Sequence, residues 1–204
     1  VDDLPVVRLL TFQVQEPLPG LVLPEMATDH GPEEAARRYR AIAVTTLRQL
    51  RSLSDARIRL ITTPADAHEA VRFWLLPRLA PRWLADGGVF RSDGWEIDFG
   101  GESSTFPIHA HGEILCPFLG ARWVHAALLG LGRTVDHVVG PASGGGHYFT
   151  ARTASVTPDL PPHILPELPI IQSSDHWQQA LDSPLGPALK RAWLEEGVGE
   201  DFEI

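Results

Sequence analysis

Apolar residues recur along this chain with two periods, one of strands and one of helices. Val6 to Val14 is an apolar, strand-like run, followed by a proline-containing loop over 15–26. Pro32 stands at a first helical position, with Glu33 and Glu34 in the turn where a helix favours negative charge. From there Ala36, Tyr39, Ala43, Leu47 and Leu50 recur at helical spacing, and Arg37, Arg38, Arg40 and Arg48 take other faces. Arg57 to Ile61 alternates as a strand does. Thr63-Pro64-Ala65-Asp66 leads into a second helix with Val71, Trp74 and Leu75 on one stripe, and Pro77 predicts its end. Trp95 to Phe99 alternates again and predicts a short strand.

In the second half, Phe106 to His111 can be extended, and Pro107 would suit an edge strand. Cys116-Pro117 precedes a predicted helix over Ala121–Leu131, with Val124, Leu128 and Leu131 on one stripe. Val135 to Val139 predicts a buried strand. It opens at once into Gly140-Pro141 and the triple glycine Gly144-Gly145-Gly146. Glycine permits positive φ and the close approach of a ligand. Open α/β sheets place their sites at the carboxyl ends of strands. Thr157 to Pro169 is too rich in proline for a helix. Ser174-Asp175 predicts a helix cap, with the helix running through Leu181, and Pro187 to Glu196 predicts a last helix before the acidic tail Glu200–Ile204. No repeat and no domain boundary interrupts this order. Strands alternating with helices predict an α/β fold: one domain over 1–204, with a mostly parallel sheet and helices on both faces.

Composition narrows the classes. The 204 residues are 44% hydrophobic, enough for one α/β domain with a sizeable core. No run approaches the roughly 20 apolar residues of a spanning helix. Val1-Asp2-Asp3-Leu4-Pro5 lacks the basic and apolar regions of a signal peptide. Cys116 is the only cysteine, which rules out an internal disulfide. These features lead to the expectation of a cytoplasmic protein. The formal net charge of -9 disfavours nucleic acid and anionic membranes as partners. Lys190 is the only lysine, so no lysine in the body of the chain can form a Schiff base or hold a phosphate.

Several segments carry a resemblance in order: Leu10-Thr11-Phe12, Pro17-Leu18-Pro19-Gly20, Gly31 to Ala36 with Tyr39, and Cys116-Pro117. Gly140-Pro141-Ala142 with Gly145, Gly146 and Tyr148, Leu165 to Pro169, and Asp175-His176-Trp177 continue it. Together the chain resembles a family of small bacterial GT-A-type transferases, the radical-SAM/selenodomain-associated glycosyltransferases, related to the phospholactate guanylyltransferases. The resemblance covers most of the chain. It implies a GT-A/Rossmann-like domain, here trimmed, and a nucleotide-type ligand held with Mg²⁺ or Mn²⁺. It places the ancestral site loops at Pro17, Gly20, Gly140, Pro141, Gly144, Gly145, Gly146 and His147.

The departures fall on the groups such chemistry needs. Where the family has cations in its first loop, this chain has Gln15, Leu23, Pro24 and Glu25. Glu25 would repel a phosphate. The family's aspartates before Cys-Pro and before Gly-Gly are Leu115 and Gly144, and His147 replaces a tyrosine. A metal-dependent transferase needs carboxylates to hold its cation against the diphosphate.

Other constellations have plain and functional readings. His109 and His111 are two apart, so on an extended segment both imidazoles share a face and could bind Zn²⁺, with Glu113, Cys116 and His147 as further ligands. The plain reading is two hydrogen-bonded loop histidines. The triple glycine could form an anion nest with Arg152 nearby, or be a turn left from the ancestral loop. Asp98 and Glu102 could form a carboxylate pair or be solvated charges. Cys116 and Ser143 lack the partners of nucleophiles. Asp175 suits a cap more than a catalyst. The tryptophans read mostly as core.

Three functions remain. The favoured one is a degenerate transferase-like module that binds a nucleotide-type ligand or a protein partner without sugar transfer. The second is a working transferase with a metal-independent site using Arg8, Arg122 or Arg152. The third is a histidine-based metal protein using His109, His111 and His147.

Overall fold

The computed structural model of the chain describes residues 8–53, 56–100, 106–131, 135–154 and 161–197. Among these residues nine strands form one sheet: β1 (Arg8–Gln15), β2 (Ala56–Thr63), β3 (Leu84–Asp86), β4 (Val89–Ser92), β5 (Trp95–Asp98), β6 (Ile108–Gly112), β7 (His137–Pro141), β8 (His147–Thr153) and β9 (His163–Ile164). Their order is β3-β4-β5-β2-β1-β6-β8-β7-β9. The central block β5-β2-β1-β6 pairs in parallel. β4 and β8 run against the other strands, so the α/β architecture holds, with a sheet that is parallel in its central block and mixed toward both sides. Six helices flank it: α1 (Pro24–His30), α2 (Pro32–Arg48), α3 (His68–Leu79), α4 (Ala121–Leu129), α5 (Ser174–Leu181) and α6 (Gly186–Gly197). Among the described residues none is long and apolar enough to cross a membrane.

The core is built on β1. Leu10, Phe12 and Val14 are fully buried in one cluster with Ile42 and Leu47 of α2, Leu60 of β2 and Ile97 of β5. Gly112 stands in register with Phe12, and a Cβ there would collide with the Phe12 ring. The helical stripe Ala36, Tyr39, Ala43 and Leu47 is buried, as its spacing predicts.

Four local expectations change. The predicted 15–26 loop gives way at Pro24 to α1, which buries only Met26 and is too short to show a period. Leu23, in the left-handed region at φ 47°, turns the chain into it, and Pro24 takes the first helical position. Pro77 lies inside α3, which continues to Leu79. Trp83 secures that end, its indole N–H donating to the carbonyls of Leu76 at 2.9 Å and Ala80 at 3.1 Å. β6 is central, between β1 and β8. Pro107 precedes its first paired residue, so no ladder N–H is lost. The cap of α5 is Ser173, whose hydroxyl accepts from the His176 amide at 3.3 Å, and Asp175 sits in the first turn. Val6 and Val7 of the predicted first strand, Glu102, the 157–160 part of the proline-rich segment and the acidic tail lie outside the described residues.

α6 docks on α2 through charge. The nearly buried Glu196 accepts from Arg40 and from Arg78, each at 2.9 Å. The Arg37 guanidinium lies 4.2 Å over the Trp193 ring. Glu196→Ala leaves two guanidinium groups without their acceptor. We expect a loss of about 2–3 kcal/mol, less than for a fully buried pair because both arginines keep contact with water. Urea denaturation measures it, and a loss under about 0.5 kcal/mol, the range of surface changes, contradicts the account.

Candidate functional site

Strand alternation gives the sheet two unlike faces. At the start of β1, Leu9, Leu10, Thr11 and Phe12 are all buried, so both faces are covered there. Gln13 is exposed, so one face opens toward the carboxyl end of β1. Register places two polar rows on that face. In the first, Arg57, Leu9, His109, Arg152 and His137 lie side by side on β2, β1, β6, β8 and β7. In the second, Asp98, Arg59, Thr11, His111, Thr150 and Val139 do so from β5 to β7.

The charges at the β2–β5 side cancel. Arg59 donates to Asp98 at 2.7 and 3.2 Å, and Arg57 pairs with Glu96. Phe106 lies against this region, under the Arg57 guanidinium at 5.5 Å and edge-on to the His109 ring at 6.5 Å.

Beyond β1 the face hollows into two adjoining openings. One, of about 220 Å³, is lined by Thr11, Gln13, His111, Glu113, His147 and Thr150, among others. The other, of about 280 Å³, is lined by His109, His111, His137, Thr150 and Arg152. They share His111 and Thr150 and form one polar cleft. The first opening lies at the carboxyl ends of β1 and β6, the usual place for a ligand in such sheets, and the second lies beside it over β6, β8 and β7, level with the start of β6.

Among the described residues Glu113 is the only carboxylate lining this cleft. Burial raises its pKa, against hydrogen bonds from the Leu115 and Ile114 amides that favour the anion. The Leu115 amide donates to its carboxylate at 3.1 Å, so the group also holds the turn after β6. Burial, then Arg152 and His109, lower the pKa of His111. Nearby, the Tyr39 hydroxyl accepts from the Gln15 amide at 2.7 Å, and burial pushes its pKa up. Cys116 is buried, with its thiol pushed up to about 12, mainly by burial, so it is a core group and no nucleophile.

The predicted site residues divide. His111 and His147 line the first opening, and His109 and His111 share a face of the second. Pro17 and Gly20 do not line the cleft. Their loop closes on itself, with the Gln15 amide group donating to the Leu21 carbonyl at 2.8 Å and Arg40 reaching the Pro17 carbonyl at 3.4 Å. Gly140 packs in the sheet, where a Cβ would strike the Tyr148 ring. Gly140 and Pro141 end β7. Gly144, Gly145 and Gly146, all at positive φ, make the turn of the β7–β8 hairpin. The Gly145 amide donates to Ala142 and the Ser143 amide to Leu168, so these two amides of the turn are engaged within the fold.

Among the described residues, those lining the cleft do not fit Mg²⁺ or Mn²⁺. Leu115 and Gly144 stand where the resemblance requires aspartates, and one partly buried glutamate is a poor site for a hard cation. No three His, Cys, Asp or Glu among the described residues gather to hold a metal ion. Of the three arginines weighed for a rebuilt site, only Arg152 reaches the cleft. Arg8 begins β1 with a nitrogen 3.4 Å from His125 Nδ1, and Arg122 is exposed on α4. Sequence reasoning missed Thr11, Gln13, Thr150 and His137. The polar alternation of Thr11, Gln13 and Gln15 with Leu10, Phe12 and Val14 was the available signal.

A larger groove of about 780 Å³, next to Trp177, Leu181 and Trp193, lies among α1, α2, α5 and α6. Its polar groups are partly engaged: Glu34 accepts from Arg38 at 2.7 Å and from the Trp193 indole at 3.0 Å. The polar sheet cleft is therefore the better candidate site, despite its smaller volume.

No family model and no curated protein matches this chain. In a comparison with solved structures, the fold is similar to a protein from Desulfovibrio desulfuricans, assigned provisionally as a nucleotide-diphospho-sugar transferase. The TM-score is 0.70 at 18% identity, over 94% of this chain and 95% of that one. The likeness shows a shared fold.

Because its pKa is raised, Glu113 weakens the folded state as pH rises from the ordinary carboxylate range through its folded value. Glu113→Gln keeps an acceptor for Leu115 and removes the charge. The variant should melt above the parent at pH ~7 and match it at pH ~3, below the ordinary carboxylate pKa. An equal difference at both pH values contradicts the burial account.

Proposed function

We propose that this chain is a ligand-binding protein on the nucleotide-diphospho-sugar transferase fold, related to the radical-SAM/selenodomain-associated transferases and without metal-dependent sugar transfer. One observation carries the reading. The cleft survives at the carboxyl ends of β1 and β6, but its lining is threonine, glutamine, histidine and one partly buried glutamate instead of paired carboxylates. Neutral hydroxyl, amide and imidazole groups give directed hydrogen bonds to a ligand. They do not neutralise a diphosphate–metal pair.

Thermal-shift titration with UDP, GDP and CTP, with and without Mn²⁺, tests this, together with a turnover assay on nucleotide sugars. Ligand at 100 times its dissociation constant adds about 2.7 kcal/mol of stability. The expected result is a shift that Mn²⁺ does not enlarge and no turnover. Mn²⁺-dependent turnover contradicts the reading. No shift with any nucleotide moves the role from a nucleotide-type ligand to a protein partner.

A further inference from the structure

We propose that Arg152, His109 and His137 form an anion site for a phosphate monoester, whose hydroxylated body lies along Thr11, Gln13 and Thr150. This deepens the ligand-binding reading above and rests on it.

The register carries the argument. His109, Arg152 and His137 are direct neighbours on β6, β8 and β7. Adjacent strands lie about 4.8 Å apart, so three nitrogen-bearing side chains rise from one row roughly 10 Å wide. All three line the same 280 Å³ opening, and among the described residues no carboxylate lines it with them. The edge contact with Phe106 fixes one side of the His109 ring.

Charge points the same way. On this face Arg57 and Arg59 are each matched by a carboxylate of β5. Arg152 is exposed, and no ion pair or side-chain hydrogen bond engages it among the described residues. It is an unmatched cation on a chain of net charge -9. Its presence also decides between the two ligands these histidines could take. A guanidinium beside two imidazoles repels a divalent metal and attracts an anion. A guanidinium can grip two oxygens of a tetrahedral anion at once, and imidazole N–H groups supply further donors.

The adjoining opening suits the rest of the molecule. Thr11, Gln13 and Thr150 present uncharged donors and acceptors, and Glu113 lies among them. That lining matches hydroxyl groups. Among the described residues no tryptophan or tyrosine lines it, and its phenylalanine, Phe149, is buried.

Isothermal titration of the full chain with inorganic phosphate, a hexose 6-phosphate and the free hexose tests the assignment. Phosphate should bind, the hexose phosphate should bind more tightly, and the free hexose should bind least. Arg152→Ala and His137→Gln should each weaken phosphate binding roughly tenfold or more, the loss of a charge-assisted contact. Lys190→Ala, in the separate helical groove, should change nothing. Gln13→Ala should remove the advantage of the hexose phosphate and leave inorganic phosphate unaffected. Circular dichroism and melting curves confirm that each variant folds. Absence of phosphate binding, or unchanged affinity in folded Arg152→Ala and His137→Gln, overturns the anion site. Neither outcome touches the wider ligand-binding reading, which falls instead on Mn²⁺-dependent turnover.

Discussion

The two-residue period of β1 ties the buried and the open parts of this molecule together. Leu10, Phe12 and Val14 point into the core and close against α2, β2 and β5. Thr11 and Gln13 therefore face the other way, whatever the surrounding loops do. A slip of one residue would bring Gln13 inside and Phe12 out, so the apolar set fixes the polar set. Gly112 enforces the same register from β6, since only a residue without a Cβ leaves room for the Phe12 ring. Once β1 and β6 are locked in this way, His109 and His111 must share the open face with Thr11. β8 and β7 then extend it with Thr150, Arg152 and His137.

The electrostatics of that face change across the sheet. Near β5 and β2 it is neutral by pairing, Arg57 with Glu96 and Arg59 with Asp98. Across β6, β8 and β7 it is neutral or positive, with Arg152 unmatched by any acid lining the same opening. The lowering of the His111 pKa, partly by Arg152 and His109, is a local consequence of this. A cation is disfavoured at that end, and the far end offers a single carboxylate whose own burial favours its protonated form. Among the described residues the cleft therefore lacks the paired carboxylates with which a divalent metal is held against a diphosphate.

Much of this was legible in the sequence. The stripe through Tyr39, Ala43 and Leu47, the alternation of Arg57 to Ile61 and the helix from Ala121, read to Leu131 and ending at Leu129, are long enough for period to decide. Short elements were not: α1 buries one side chain, and the β3–β4 hairpin has no alternating apolar face. Pro107 suggested an edge because the sequence does not show that the proline stands one residue ahead of the ladder. The triple glycine suggested a ligand loop, but an equally glycine-rich hairpin turn has the same composition, and only the hydrogen bonds of Ser143 and Gly145 separate them. His109 and His111 were visible as a pair sharing a face. That Arg152 and His137 stand beside them depends on β8 and β7 folding back as a hairpin, a long-range pairing that no local pattern encodes.

The central claim is that the open face of β6, β8 and β7, and not the glycine turn, is where this protein meets its ligand. Nuclear magnetic resonance of the nine histidines during titration with inorganic phosphate tests it most directly, with the backbone amides followed in parallel. The account predicts saturable shifts at His109, His111 and His137, with His68, His163 and His176 unmoved. Shifts confined to the amides of Gly144, Gly145 and Gly146 would contradict it.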